Sequence, residues 1–193
     1  VNSSGASVLS TTSYRYDAAG RLRQVIDANG ITEHHLYDAA GRKVAIVGAG
    51  GSLTEFVYDR FNQVVKTVRS ADRLTSEQLA SLTVNGQPST VSLATLKAEL
   101  PTTIGRASDQ VSRTVYDAAG RAQFTIDARG AVTQVFYDGT GRVTDTVQFA
   151  TRVSIAASVD GLQPQAVAVV GSEEDRHTRT LYDLEGRVRA QLD

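Results

Sequence analysis

Apolar positions recur along this chain in short alternating runs. When the runs are aligned on a recurring Gly-Arg pair (Asn62-Gln63 in one copy), one face of the strand that follows carries Leu22/Gln24/Ile26, Lys43/Ala45/Val47, Val64/Lys66/Val68, Ala122/Phe124/Ile126 and Val143/Asp145/Val147. The other carries Arg23/Val25, Val44/Ile46, Val65/Thr67, Gln123/Thr125 and Thr144/Thr146. Alternation with period two predicts short strands. Neither face is wholly apolar, whereas an isolated sandwich alternates more cleanly. The residue before each recurring tyrosine is apolar at Leu36, Val57, Val115, Phe136 and Leu181, with Arg15 the exception. That residue and the tyrosine point to opposite faces, so both faces are expected to bury something. The pattern predicts a curved sheet.

Turn chemistry sets the strand lengths. Asp17-Ala-Ala-Gly20, Asp27-Ala-Asn-Gly30 and Asp38-Ala-Ala-Gly41 each place Asp first and Gly fourth, as a type I turn closed by a left-handed glycine requires. Tyr16, Tyr37 and Tyr58 are evenly spaced, and the same spacing separates Tyr116 from Tyr137. Each unit is therefore two strands and two tight turns, and the array reads as an antiparallel meander. Regular self-similarity of this kind marks a repeat architecture.

The full motif is Tyr-Asp-x-x-Gly-Arg. It stands at Tyr16, Asp17, Gly20 and Arg21; at Tyr37, Asp38, Gly41 and Arg42; at Tyr116, Asp117, Gly120 and Arg121; at Tyr137, Asp138, Gly141 and Arg142; and at Tyr182, Asp183, Gly186 and Arg187. Tyr58 and Asp59 head the incomplete copy.

Two longer connections interrupt the array, and they resemble each other at their edges. Residues 67–75 match 146–154 on the leading side, and residues 109–117 match 175–183 on the trailing side. In the first connection, Thr75-Ser-Glu-Gln78 is a capping-box pattern ahead of Leu79 and Leu82. Leu93, Leu96 and Leu100 share one face of a helix that Pro101 ends, and that face is expected to dock on the sheet. The second connection is expected to hold a short helical turn around Gln165–Val169. The reading is thus a tail or partial unit over 1–12 and a repeat segment over 13–193. Its inserts cover about 70–112 and about 149–177.

Composition narrows the function. The 193 residues include no Cys and no Met, which removes disulfides, thiolate metal sites and thiol catalysis. A first residue of Val and a repeat that stops mid-unit point to a slice of a longer array. No apolar run approaches the roughly 20 residues that a membrane span needs. A net charge of -1 offers no electrostatic basis for binding nucleic acid.

These motifs resemble the RHS/YD-repeat family, whose signature is a unit of Tyr-Asp-x-x-Gly-Arg. Members are large secreted or surface-displayed bacterial proteins, with teneurins as eukaryotic relatives. The resemblance implies an antiparallel β-hairpin repeat array spiralling into a shell that, in toxin members, encloses a C-terminal toxic domain. Its partners would be neighbouring repeats of the same parent chain and the enclosed toxin. Nothing here resembles the self-cleaving segment that ends such shells, and the two inserts depart from the plain unit.

Candidate chemistry is sparse. The motif Tyr and Asp are expected to be architectural, with Asp capping the turn and Tyr forming a ladder between strands. Each Arg is expected to pair with a nearby Asp or lie over a Tyr ring. His34 and His35, consecutive on a strand, face opposite sides and cannot chelate one metal. Gly48-Ala-Gly-Gly51 lacks the Lys-Ser/Thr and the helix of a phosphate loop. No serine sits in a nucleophile elbow. The expectation is a non-enzymatic, mainly β wall segment without a cofactor, secreted or at the cell surface, enclosing a C-terminal toxin or effector. The alternative is an adhesin or carbohydrate-binding module that uses a tyrosine row or the inserts to contact glycan.

Overall fold

The computed structural model describes residues 11–98, 108–155 and 161–193. Residues 1–10 of the expected tail, and Leu100 and Pro101 of the expected second helix, lie outside them. The chain is mainly β and divides into two compact units: Val1–Phe56 with Arg69–Ile104, and Val57–Val68 with Gly105–Asp193.

In the first unit, β1 (Ser13–Tyr16), β2 (Leu22–Ile26), β3 (Thr32–Tyr37) and β4 (Lys43–Val47) form an antiparallel meander that continues onto the start of β5 (Ser52–Tyr58). The end of β6 (Val64–Arg73) leads into α1 (Ser76–Ser81), a ribbon of β7 (Thr83–Val84) and β8 (Gln87–Pro88), and α2 (Leu93–Ala98). In the second unit, β9 (Gln110–Tyr116), β10 (Ala122–Ile126), β11 (Val132–Tyr137), β12 (Val143–Gln148), β13 (Arg176–Tyr182) and β14 (Val188–Leu192) pair in chain order, all antiparallel.

Each hairpin with a complete motif carries a β-bulge beside its tyrosine. Tyr16 pairs with Leu22 but Arg15 with Gln24, and the register shifts in the same place at Tyr37, Tyr116, Tyr137 and Tyr182. The extra residues are Arg23, Val44, Gln123, Thr144 and Arg189. A bulge strengthens local twist, and it also corrects the plain alternation read from sequence. Leu22 and Gln24 pair with residues that face opposite sides, so they do not share a face.

The two units bury matching positions. Leu36, Ala45, Val47, Leu53 and Leu74 belong to the first core; Val115, Phe124, Ile126 and Val132 form the second, with the half-buried Val153 packed against them. Each of the second set stands 79 positions after its counterpart. In the first unit the cover is helical, as expected. The Thr75 hydroxyl accepts the Gln78 N–H (3.2 Å) while the Gln78 side chain accepts the Thr75 N–H (2.8 Å). Gln78, 2% exposed, also donates to the Leu96 carbonyl at 2.9 Å and so ties α1 to α2. A buried amide is tolerated because it is bonded at both ends. Leu79, Leu82, Leu93 and Leu96 pack onto the sheet residues. In the second unit Phe149, Ile155, Leu162, Val167 and Val169 do the covering, with a single 3-10 turn at Pro164–Ala166. That turn lies earlier than the expected 165–169, because proline pre-sets the first helical position.

Each strand that leaves the sheet also straps down an earlier turn. The Leu74 N–H donates to the Gly51 carbonyl and the Val153 N–H to the Gly130 carbonyl, both at 2.9 Å. Just ahead of them, Arg73 donates to the Gly50 carbonyl (3.0 Å) and Arg152 to that of Arg129 (3.2 Å). The approach requires glycine. A Cβ on Gly51 would sit 2.6 Å from the Leu74 carbonyl oxygen, and one on Gly130 closer still to that of Val153; both have φ of +80°.

One burial expectation fails. Leu36 and Val115 are buried before their tyrosines, but Phe136 and Leu181 are 40% and 44% exposed. The covers lie over the first two positions, and no described residue roofs the others.

Candidate functional site at the junction between repeats

The motif residues meet at the junction between one repeat and the next. The construction starts from the Asp. One carboxylate oxygen of Asp17 accepts the N–H groups of Ala19 and Arg21, both at 3.0 Å, and the Gly20 N–H closes the turn onto the Asp17 carbonyl at 2.9 Å. Gly20 adopts φ of +74°, the left-handed conformation that favours glycine. The other Asp17 oxygen accepts the Arg21 Nε at 2.8 Å. Arg42, Arg121, Arg142 and Arg187 are held in the same way by Asp38, Asp117, Asp138 and Asp183 at 2.7–2.8 Å.

So fixed, the guanidinium reaches the following repeat. Arg21 lies over the Tyr37 ring (5.1 Å), Arg121 over Tyr137 (4.5 Å) and Arg142 over Tyr182 (4.7 Å). The tyrosine hydroxyl then donates back to the preceding repeat. Tyr37 bonds the Leu22 carbonyl (2.9 Å), Tyr137 that of Ala122 (2.8 Å) and Tyr182 that of Val143 (2.8 Å). The accepting carbonyl belongs each time to the residue after the Arg. Asp, Arg and Tyr of two successive repeats thus form one closed circuit. The second insert does not break it, since Arg142 and Tyr182 stand on either side.

The RHS repeat family model matches residues 7–32, which contain the first Tyr-Asp-x-x-Gly-Arg copy. Over that stretch the chain carries an RHS repeat. No curated protein matches it. Among solved structures it is similar to the crystal structure of TcdB2-TccC3-Cdc42, at 13% identity and a TM-score of 0.37, over 93% of this chain and 10% of that one. It is also similar to a TccC3 variant of the Photorhabdus luminescens Tc holotoxin pore, at 13% identity and a TM-score of 0.36, over 94% and 11%. The chain spans about a tenth of each.

A guanidinium lies on each of these three tyrosine rings, as expected for the arginines, and takes the place that a ladder of stacked tyrosines was expected to fill. A ring face is electron-rich and favours the cation. Tyr16, on the first strand, is 57% exposed. Tyr58 is half-buried at the end of β5 and has bonding partners. The junction groups shift as their neighbours dictate. Asp17 is held below the ordinary carboxylate value, first by the Arg21 N–H, with burial opposing and Arg23, Arg21 and Ala19 adding. Asp138 is lowered first by the Thr140 hydroxyl and Asp183 by the Arg187 N–H. For Asp38 and Asp117 burial is the largest influence and acts upward, but the bonds from Arg42 and Arg121 outweigh it. Burial raises Tyr37, while the positive charges of Arg23 and Arg21 oppose the rise.

The incomplete copy keeps the turn and loses the guanidinium. Asp59 accepts the Phe61 and Gln63 N–H groups at 2.8 and 2.9 Å, and Asn62 takes the glycine position with φ of +66°. Asparagine is among the few residues that tolerate it. The Tyr116 hydroxyl still donates to the Val64 carbonyl, at 3.2 Å. Gln63 instead donates to the Gly120 carbonyl at 2.8 Å.

Other polar residues form local pairs. His35, 6% exposed, lies 2.6 Å from Glu33, and Lys97 of α2 pairs with Glu55. His34, on the opposite face, is lowered by burial and by its neighbour His35. Among the described residues no cluster of three or more His, Asp or Glu is placed to hold a metal. The straps at Gly51 and Gly130 were missed from sequence. The likeness of 67–75 to 146–154 was their signal.

Proposed function

We propose that this segment is non-catalytic wall: a structural stretch of a large secreted bacterial protein whose hairpins are riveted edge to edge and enclose a C-terminal toxin or effector. The observation that carries the structural part is the junction circuit, in which the motif Asp, Arg and Tyr spend their polar atoms on each other and on neighbouring backbone. Functional groups so engaged hold a shape. The enclosed passenger and the secreted setting rest on the resemblance to RHS/YD-repeat proteins. No described helix is long and apolar enough to cross a membrane. On this reading residues 13–193 act as one repeat segment and 1–12 as a tail or partial unit. The test is limited proteolysis of the intact parent protein, with mass spectrometry of the surviving pieces. A C-terminal passenger that resists digestion until the shell is denatured supports a container, and a passenger cut at the rate of an unprotected chain removes that reading.

The adhesin reading draws on exposed aromatic and apolar side chains at Tyr14, Tyr16, Phe61 and Phe136, since surface rings of this kind can stack on sugars. A glycan-binding screen on this chain decides it. Binding that survives removal of these rings would exclude them as the contact.

A further inference from the structure

The junction between the incomplete copy and the next repeat holds a cleft of about 620 Å³, lined by Asp59, Phe61, Gln63, Tyr116 and Gly120 and closed on one side by the turn at 161–165. In complete junctions this space belongs to arginine, bonded to the Asp behind it and lying on the tyrosine ahead. Here the same two partners are present, and the shorter Gln63 side chain reaches the Gly120 carbonyl (2.8 Å) instead of bridging them. Asp59 uses one oxygen on the turn, and no described residue takes the place of the Arg Nε on the other. No described guanidinium lies over the Tyr116 ring. Arg60, which also lines the cleft, is stacked on Phe61 at 4.7 Å instead. The contrast extends to charge, because burial and the negative charge of Asp59 raise Tyr116 with no cation opposing them, unlike Tyr37.

We propose that this cleft is a seat for an arginine side chain presented by another polypeptide segment, the guanidinium lying on the Tyr116 ring and pairing with the second oxygen of Asp59. The protein supplies the template for its own ligand in Arg21, Arg121 and Arg142. A planar guanidinium pairs with a carboxylate and stacks on a ring at once, which an ammonium does not do as well. The inference rests on the junction geometry and does not depend on whether a toxin is enclosed.

The experiment titrates the 193-residue chain with N-acetyl-arginine amide, its lysine counterpart, a Gly-Arg-Gly peptide and a panel of simple sugars, reading the NMR shifts of Tyr116 and Gly120. Saturable shifts are expected from the arginine probes and weak ones from lysine, with the peptide the tighter ligand. Gln63→Arg fills the seat from within and should abolish the response. Asp59→Asn should weaken it about tenfold, as loss of a charged hydrogen bond does. Gln63→Arg keeps the Asp59 turn intact, so it remains informative if Asp59→Asn fails to fold. Equal responses to lysine and arginine, an undiminished response in Gln63→Arg, or shifts from sugars alone would each overturn the proposal. A free amide that binds as tightly as the peptide would overturn its polypeptide part.

Discussion

The two units roof the same sheet positions with different material. The first uses two capped helices joined by a small ribbon, and the second an irregular chain with one 3-10 turn. Beneath them the buried sheet residues correspond one for one, and so does the strap that pins each turn glycine. The difference teaches which parts are constrained. The strap and the sheet positions are fixed by close backbone approach, whereas the roof need only supply apolar contact of the right extent.

The sharpest way to break this comparison is at the straps. Gly130→Ala and Gly51→Ala should each destabilise by about 3 kcal/mol, since both add backbone strain and drive a Cβ into a carbonyl. Gly30→Ala has a similar positive φ but nothing near its Cβ, and should cost about 1 kcal/mol. Urea denaturation measures all three, and equal losses would reduce the strap to an ordinary turn.

The roofs come next. Leu96→Ala opens the first core and should cost about 3 kcal/mol. Hydrogen exchange should speed in β4 and not in β10. Acceleration in both would show that the units do not respond separately.

Smaller effects sharpen the junction. Tyr37→Phe and Tyr137→Phe each remove one hydroxyl bond, worth about 1 kcal/mol, and should match across the units in denaturation midpoint. Unequal losses would mean that the roof above contributes to the junction.

Acid should separate the units as well. Asp17 and Asp38 are depressed in the first; Asp117, Asp127, Asp138, Asp175 and Asp183 in the second. A carboxylate whose folded value is depressed stabilises fully above its unfolded value, about 3.9. That stability is lost as pH falls through the folded value. Exchange measured at successively lower pH, below about 5, should show the second unit loosening first. The reverse order would contradict the assigned bonds.

Much of this was legible from residue order. Asp-x-x-Gly announced the turns, Thr75 to Gln78 announced a helix start, and the Tyr-Asp-x-x-Gly-Arg spacing marked the repeat. What stayed hidden needed the neighbour across the junction. Nothing local says that Arg21 belongs on Tyr37, or that Tyr182 bonds Val143 across an insert. The exposure of Phe136 and Leu181 was equally hidden, because burial there depends on where a distant insert lies down. The bulges escaped because alternation assumes every residue is paired.

Those bulges have a consequence in parity. Side chains on a strand alternate with an even period, yet Tyr16 and Tyr37, like Tyr116 and Tyr137, are an odd number of residues apart. Without correction, each tyrosine would emerge on the opposite side from the last. One unpaired residue per hairpin absorbs the odd count, so Tyr37 falls in phase with Tyr16 and Tyr137 with Tyr116, and Tyr37 and Tyr137 each find the guanidinium behind them. Removing Gln123 would leave every motif residue in place and send Tyr137 out of phase with Arg121. The repeat depends on a residue that its motif does not contain.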